Sequence, residues 1–248
     1  MTQLQDKIAL VTGGAGGIGS AISRRLASAG ASVVVTYSRS RDRAEVLVES
    51  LPGSGHRAIC APVDDSAAQA DLARAVESAY GALDILVNNA GITQPVPHAD
   101  LDALNDDLID SIFRVNVRGA LASVRALKPL LMKDGGGLIV NISSIAGRTA
   151  LGSNIAYCAS KAALDSLTMS LARALAPQVR VVSVSPGWVN GEYAQRMPPE
   201  LVERQAALTP LGRIAEAEEV AEAVYAVAAH LTFTTGAIIP VDGGRPLG

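Results

Sequence analysis

Apolar residues occur along this chain in short unbroken runs, and between the runs they recur at spacings of three and four. A short unbroken run reads as a strand buried on both faces, and the three-four rhythm as a helix with one buried face. On that basis strands fall at 8–11, 33–35, 58–63, 83–87, 138–140, 179–184 and 237–239. The helix after the first strand lines up Ile18, Ala21, Ile22, Leu26 and Ala29 and is stopped by Gly30. Further helices are predicted around 44–48 and over 67–80, 104–132, 156–176 and 216–229; Gly135-Gly136-Gly137 closes the third of these and Pro177 the fourth. The rhythm breaks over 188–214, which contains Gly191, Pro198, Pro199 and Pro210.

Strict strand–helix alternation predicts an α/β fold, a doubly wound parallel sheet of about seven strands (Rossmann-type) with helices on both faces. Residues 1–248 form one domain in this reading, with no repeat, low-complexity tract or linker. Ligands then lie at the carboxyl ends of the strands, and the irregular segment 188–214 becomes a substrate lid. A closed eight-stranded barrel is the competing architecture, and the glycine turn after the first strand argues against it.

Composition narrows the function classes. A chain of 248 residues buries a large core without disulfides or a structural metal. Apolar residues make up 49% but aromatics only 3%, so the core is aliphatic. Net charge is −3 with basic residues dispersed, which excludes a phosphate-tracking patch for nucleic acid. The N-terminus reaches its first apolar strand without the charged n-region and cleavage site of a leader, and no apolar run reaches the ~18 residues of a membrane span, so a cytoplasmic location is expected. Cys60 and Cys158 read as separate reduced thiols. His56, His98 and His230 share no metal-ligand spacing and lie in no nucleophile motif, so no metal site is expected.

The chemistry-bearing residues cluster at strand ends. Strand one runs into Thr12-Gly13-Gly14-Ala15-Gly16-Gly17-Ile18-Gly19. Glycines there allow a tight turn and a close approach of backbone to a pyrophosphate, above a helix N-terminus that favours an anion. Strand three ends at Val63-Asp64-Asp65 and strand four at Asn88-Asn89-Ala90-Gly91, on the same edge. Asp64 serves either as acceptor for an adenine amino group or as a helix N-cap. Tyr157 and Lys161, at i and i+4, share one helix face. An adjacent ammonium lowers a phenol pKa from its usual ~10, which makes Tyr157 a workable general acid/base for a carbonyl oxygen. Ser144, in Asn141-Ile142-Ser143-Ser144, is placed to hold that oxygen or to cap a loop.

In this order and spacing these motifs, with Asn116, Pro186-Gly187 and Val241-Asp242-Gly243-Gly244, resemble the short-chain dehydrogenase/reductase family over essentially the whole chain. The form resembled is that of about 250 residues, similar to 3-oxoacyl carrier-protein reductases and related ketone or sugar reductases. The resemblance implies an NAD(P)-dependent oxidoreductase acting on a small carbonyl or secondary alcohol. Tyr157 would protonate the carbonyl oxygen and Ser144 orient it. Lys161 would bind the nicotinamide ribose and depress the Tyr157 pKa, and Asn116 would hold a proton-relay water. Gly13, Gly16, Gly17, Ile18, Gly19, Asp64, Asp65, Asn89, Ala90 and Gly91 would surround the cofactor, with Pro186 and Gly187 at the nicotinamide. The family's Thr after Pro-Gly is missing from Trp188-Val189-Asn190-Gly191-Glu192, which leaves the Val189 backbone for the carboxamide.

The resemblance also implies a homotetramer paired through the helices at 104–132 and 156–176, where Leu121, Leu164, Leu167 and Leu171 serve either interface or core. Carrier-protein partners go with a basic residue near 178, and Gln178 stands there. Trp188, Tyr193, Met197 and Leu201 are candidates for an apolar substrate wall. Two other classes compete: a catalytically silent dinucleotide-sensing protein, and an epimerase, whose relatives carry a larger C-terminal domain. Cofactor choice turns on the end of strand two. NAD sites place an acidic residue there, and here Tyr37 is followed by Ser38, Arg39, Ser40 and Arg41, suited to a phosphate monoester. Gly16, where NADP-using relatives often carry Arg or Lys, speaks the other way. NADP is the expected cofactor, with NAD possible.

Overall fold

Strands β1 (Ile8–Val11), β2 (Ser32–Tyr37), β3 (Arg57–Cys60), β4 (Ile85–Asn88), β5 (Gly137–Ile142), β6 (Val179–Pro186) and β7 (Ile238–Val241) form one sheet in the computed structural model. The sheet is parallel throughout, in the order β3-β2-β1-β4-β5-β6-β7. The structure describes residues 3–247. Met1 and Thr2 of the N-terminal segment, and Gly248 at the end of the predicted domain, lie outside the described residues. Strand order reverses at β1, whose Val11 pairs with Val35 of β2 on one side and Val87 of β4 on the other. A crevice opens at such a reversal because the connections leave in opposite directions.

The helices are α1 (Gly17–Ser28), α2 (Arg41–Ser50), α3 (Ser66–Tyr80), α4 (Asp106–Phe113), α5 (Ala120–Leu131), α6 (Ala146–Thr149), α7 (Ile155–Leu175), α8 (Glu192–Gln195), α9 (Pro199–Ala207) and α10 (Ala217–Ala229). Alternate strand residues face opposite layers. Val11, Val33, Val35, Val87 and Val140 pack with Ile22, Leu26, Leu47, Val220 and Val224 from α1, α2 and α10. Leu10, Val34, Leu86, Ile139 and Val181 pack with Leu72, Val76, Leu127, Leu131 and Leu175 from α3, α5 and α7. Neither set of buried residues contains an aromatic side chain. Truncating a fully buried leucine such as Leu10 should cost about 2–5 kcal/mol.

Three local expectations need correction. The third strand ends at Cys60 rather than 63, because Asp65, not Asp64, starts the next helix. Asp65 Oδ1 accepts from the N–H groups of Ala67 and Ala68 at 2.9 and 3.1 Å. The 104–132 stretch is α4 and α5 joined by a π-helical turn, Arg114–Gly119, a distortion common near functional sites. Segment 188–214, expected to be irregular, contains two helices, of which α9 starts with Pro199 in its first turn, where a missing N–H costs nothing. Among the described residues no helix is long and apolar enough to cross a membrane, and no group of three or more His, Cys, Asp or Glu is placed to hold a metal.

Candidate active site

A cavity of about 1720 Å³ follows the carboxyl edge of the sheet, walled by the turns after β1, β2, β4, β5 and β6 and by the segments after β3 and β7. Single small-molecule pockets hold roughly 300–1,000 Å³, so this one has room for a large ligand and a second one beside it.

At the β1 end, glycine is sterically required. Gly13 has a φ of 60°, and a Cβ on Gly19 would lie 2.5 Å from the Gly13 carbonyl oxygen and 2.6 Å from Asn89 Nδ2. Asn89 Nδ2 donates to the carbonyls of Thr12 and Gly13 at 3.0 and 3.1 Å. Thr12 Oγ1 accepts from the N–H groups of Asn89 and Ala90, both at 3.0 Å, locking the two turns together. Gly16 and Gly17 differ: a Cβ there would meet at most one atom, at 3.5 Å from Gly16. They front an α1 N-terminus that no side chain caps. Open space against uncapped N–H donors fits a pyrophosphate. Ile18, Tyr37, Ser38, Arg39, Asp64, Asn89, Ala90 and Gly91 complete this end of the wall. Asp64 stands 3.6 Å from Arg114, while Asp65 is absent from the wall because its carboxylate caps α3.

Mid-cavity, the start of α7 brings Tyr157 and Lys161 beside Ser144. Asn154 caps this helix, accepting from the Tyr157 N–H at 2.7 Å and donating to the Gln94 carbonyl at 2.7 Å. Ser144 stands beside the Tyr157 hydroxyl, close enough to lower its pKa. Lys161 is buried, its Nζ donating to the Ile142 carbonyl at 2.8 Å and lying 5.6 Å from the centre of the Tyr157 ring. Burial pushes the phenol up to about 12, with the Ser144 hydroxyl opposing, and burial pulls the ammonium down to about 8, with Asp165 opposing. The expected lowering of the phenol pKa by Lys161 is therefore not what this arrangement gives. A desolvated site disfavours both ionised forms, and the ammonium is turned toward a backbone carbonyl. Tyr157 is consequently a proton-bearing phenol across the neutral range.

Asn116 sits behind the wall rather than on it. Its Oδ1 accepts from the Ile92 N–H at 2.8 Å, and its Nδ2 donates to the Ile92 carbonyl and Ser160 Oγ, both at 3.1 Å. This side chain ties the π-helical turn to the β4 turn and to α7. Asn154, Ser160 and Asp165 were not anticipated. Asp165 is buried one turn beyond Lys161 and accepts from Ser183 Oγ at 3.0 Å, while its other oxygen has no partner among the described residues. Burial raises its pKa, with the nearby Ser143 and Ser183 hydroxyls opposing. An Asn three residues before Tyr157, opening an apolar-periodic segment, is an N-cap signal that the sequence did carry.

Beyond Tyr157 lies segment 188–214. Its stem is pinned by a parallel bridge between Val189 and Ala215, with Asn190 N–H donating to Ala215 O at 2.7 Å and Ala215 N–H to Trp188 O at 2.9 Å. In that pattern the N–H and C=O of Val189 itself point away from Ala215. Gly187, after Pro186, packs so closely that a Cβ would lie 3.1 Å from Asp242 Cα. The rings of Trp188 and Tyr193 pack at a tilt of 55° with centres 5.6 Å apart, and with Met197 and Leu201 they line the cavity. The facing wall is Val96, Pro97, His98 and Leu151. Arg245, beyond β7, was also not anticipated and lines this end.

The family described as Enoyl-(Acyl carrier protein) reductase matches residues 13–245. Ketoacyl reductase 2 of the granaticin polyketide synthase of Streptomyces violaceoruber is 39% identical, covering 97% of this chain and 96% of the relative. The 3-oxoacyl-[acyl-carrier-protein] reductase of Staphylococcus aureus is 34% identical over 96% of this chain and 97% of its own. A short-chain dehydrogenase/reductase structure from Burkholderia xenovorans superposes with a TM-score of 0.91 at 35% identity, over 98% of both chains.

Proposed function

Because this chain belongs to the short-chain dehydrogenase/reductase family, and is therefore an NAD(P)-dependent oxidoreductase acting between CH–OH and C=O groups, we propose that it reduces a ketone or 3-oxoacyl carbonyl with NADPH preferred, Tyr157 giving the proton. The observation that carries this reading is the Ser144–Tyr157 pair, with its phenol held protonated, midway along a cavity too large for one small ligand.

The nicotinamide cofactor supplies the hydride when bound. Gly13, Gly16, Gly17, Ile18 and Gly19 would hold its pyrophosphate, Asp64 its adenine, and Tyr37, Ser38 and Arg39 the ribose 2′-phosphate. Asn89, Ala90, Gly91, Lys161, Pro186, Gly187 and the free backbone groups of Val189 would hold the nicotinamide half. Ser144 Oγ fixes the substrate oxygen within reach of the Tyr157 hydroxyl. As charge develops on that oxygen, Tyr157 donates its proton, a role for which a pKa about 12 leaves the proton in place until it is needed. Lys161 is an ammonium below about pH 8, the form that would donate to the nicotinamide ribose hydroxyls. Asn116 acts through position, holding the Ile92 backbone and Ser160 around this centre.

The ketoacyl names of two relatives favour the 3-oxoacyl arm. A homotetramer in the cytoplasm completes the proposal. Leu164 is core, but Phe113, Ile155 and Met169 leave apolar surface exposed on α4 and α7 for a subunit interface, and light scattering showing a monomer at micromolar concentration would overturn it. The test of function is oxidation of NADPH and NADH, followed at 340 nm, against β-ketoacyl thioesters, sugars, steroids and simple ketones. Ketone-dependent NADPH oxidation is expected, and failure of every carbonyl with both cofactors would contradict the reading.

A further inference from the structure

Each end of the cavity carries a guanidinium without a carboxylate. Arg39 follows β2 and Arg245 follows β7, on opposite sides of the sheet. Neither takes part in an ion pair among the described residues. The acidic residues on the wall are engaged elsewhere: Asp64 with Arg114 at 3.6 Å, and Glu192 with Arg43 and Arg196 at 2.5 and 3.6 Å. Arg39 is accounted for by the proposed cofactor phosphate. Arg245 lies on the substrate side, and no part of the cofactor reading uses it.

Arg245 is held in place by its own turn and by the lid. It opens a short helical turn, Arg245–Leu247, with its N–H on the Asp242 carbonyl at 3.1 Å. That turn is joined to the lid by Leu211 N–H on the Gly243 carbonyl at 3.2 Å. Arg245 is half-buried and shares the cavity wall with the apolar Trp188, Met197 and Leu201. Its Nη2 donates to Gln205 Oε1 of α9 at 3.3 Å, a long bond to a neutral amide, and its Nε is buried with no partner among the described residues. Five N–H donors in a planar fork are matched to an oxyanion, and here they meet one neutral acceptor. A half-buried guanidinium that faces a cavity with no carboxylate partner is stabilised when an anion arrives.

We propose that Arg245, with Gln205 of the lid, is the subsite for an oxyanion, a carboxylate or a phosphate, at the end of the substrate remote from its carbonyl. This rests on the reading that places the carbonyl at Ser144 and Tyr157. Those residues follow β5 and Arg245 follows β7, two strand spacings away, so the reacting carbon and the anion stand on the order of 10 Å apart. An anion drawn to Arg245 also draws in Gln205, so the charged end of the substrate itself seats α9 over the cavity.

The test compares charged and neutral partners of one substrate. One arm runs from 4-oxopentanoate to 8-oxononanoate, each against its methyl ester; the other sets acetoacetyl-pantetheine 4′-phosphate against acetoacetyl-pantetheine. Steady-state kcat and KM are measured for wild type, Arg245→Gln and Arg245→Lys. Wild type is expected to favour the charged member of at least one pair, through KM, with longer oxo acids ahead of 4-oxopentanoate. The arm showing the preference identifies carboxylate or phosphate. Arg245→Gln should lower the charged-to-neutral ratio at least ~10-fold, and Arg245→Lys should restore part of it. No charge preference in any pair, or a ratio unchanged in Arg245→Gln, would overturn the subsite. If no carbonyl at all is turned over, the hydride-transfer reading fails separately. Calorimetric binding of 8-oxononanoate and pantetheine 4′-phosphate then decides the subsite: tighter binding of either by wild type than by Arg245→Gln supports it, and equal or absent binding of both overturns it.

Discussion

The turn after β1 and the segment after β6 leave the same edge of one sheet, and they are built by different means. In the first, backbone approaches backbone so closely that Gly19 admits no Cβ, and Asn89 and Thr12 hold the next turn against it. In the second, a pinned stem at Val189 and Ala215 supports short helices, and α9 buries none of its residues fully. The first end is defined by what cannot be there, the second by which side chains happen to be. A dinucleotide offers the same phosphates to any protein that binds it, so close backbone contact suits it, whereas a substrate is selected by shape and charge on a replaceable loop.

Perturbing the centre between the two ends should produce the largest effect. Tyr157→Phe keeps the ring and removes the proton, so turnover should fall ~10²–10⁴-fold while cofactor affinity, measured by fluorescence titration, barely changes. A few-fold loss of turnover would remove Tyr157 from its role. Gly19→Val tests the steric end: overpacking of this kind costs about 1–3 kcal/mol, roughly 5- to 150-fold in cofactor affinity, with a lower melting temperature. Unchanged affinity would show that the close approach is not what shapes the site. Tyr37→Asp places a carboxylate where a 2′-phosphate is proposed to sit, and should cut the NADPH-to-NADH ratio of kcat/KM by about 10-fold or more. An unchanged ratio, or NADH preference in wild type, would end the NADP assignment.

The smallest effect is one of pH. Lys161 is charged below about 8 and neutral above, so cofactor affinity should weaken a few-fold through that pH, and Lys161→Met should abolish the step. Its folded pKa lies below the unfolded value of 10.5, so between pH 8 and 10.5 the unfolded chain binds the extra proton and this group makes stability rise with pH. Tyr157 acts oppositely: with its pKa raised from 10.0 to about 12, its contribution is present below pH 10 and is lost between pH 10 and 12. Melting temperatures of wild type and Lys161→Met across pH 8–10 check the first sign, and identical slopes would contradict it.

The division between the two ends also governs what the sequence discloses. Glycine spacing, unbroken apolar strands and the four-residue step from Tyr157 to Lys161 are local, and local spacing survives folding unchanged. The sheet and the residues that line the cavity at its glycine end were legible for that reason. Whether Asp64 or Asp65 capped α3 depended on one residue of register, and the carboxylate that found two N–H groups was Asp65. The direction of Lys161 Nζ was illegible, because the Ile142 carbonyl that takes it lies 19 residues away. Arg245 was illegible for the same reason: its lid partner Gln205 lies 40 residues upstream and meets it only through the tertiary fold.

The central claim is that the two ends of the cavity meet in a hydride transfer, and isotope transfer tests it directly. NADPH deuterated at the transferable C4 position is incubated with the enzyme and whichever carbonyl compound supports cofactor oxidation, and the alcohol is examined by mass spectrometry and NMR. The account predicts one deuterium, on the carbinol carbon, with the hydroxyl proton drawn from solvent. An unlabelled alcohol, or deuterium at any other carbon, would contradict it.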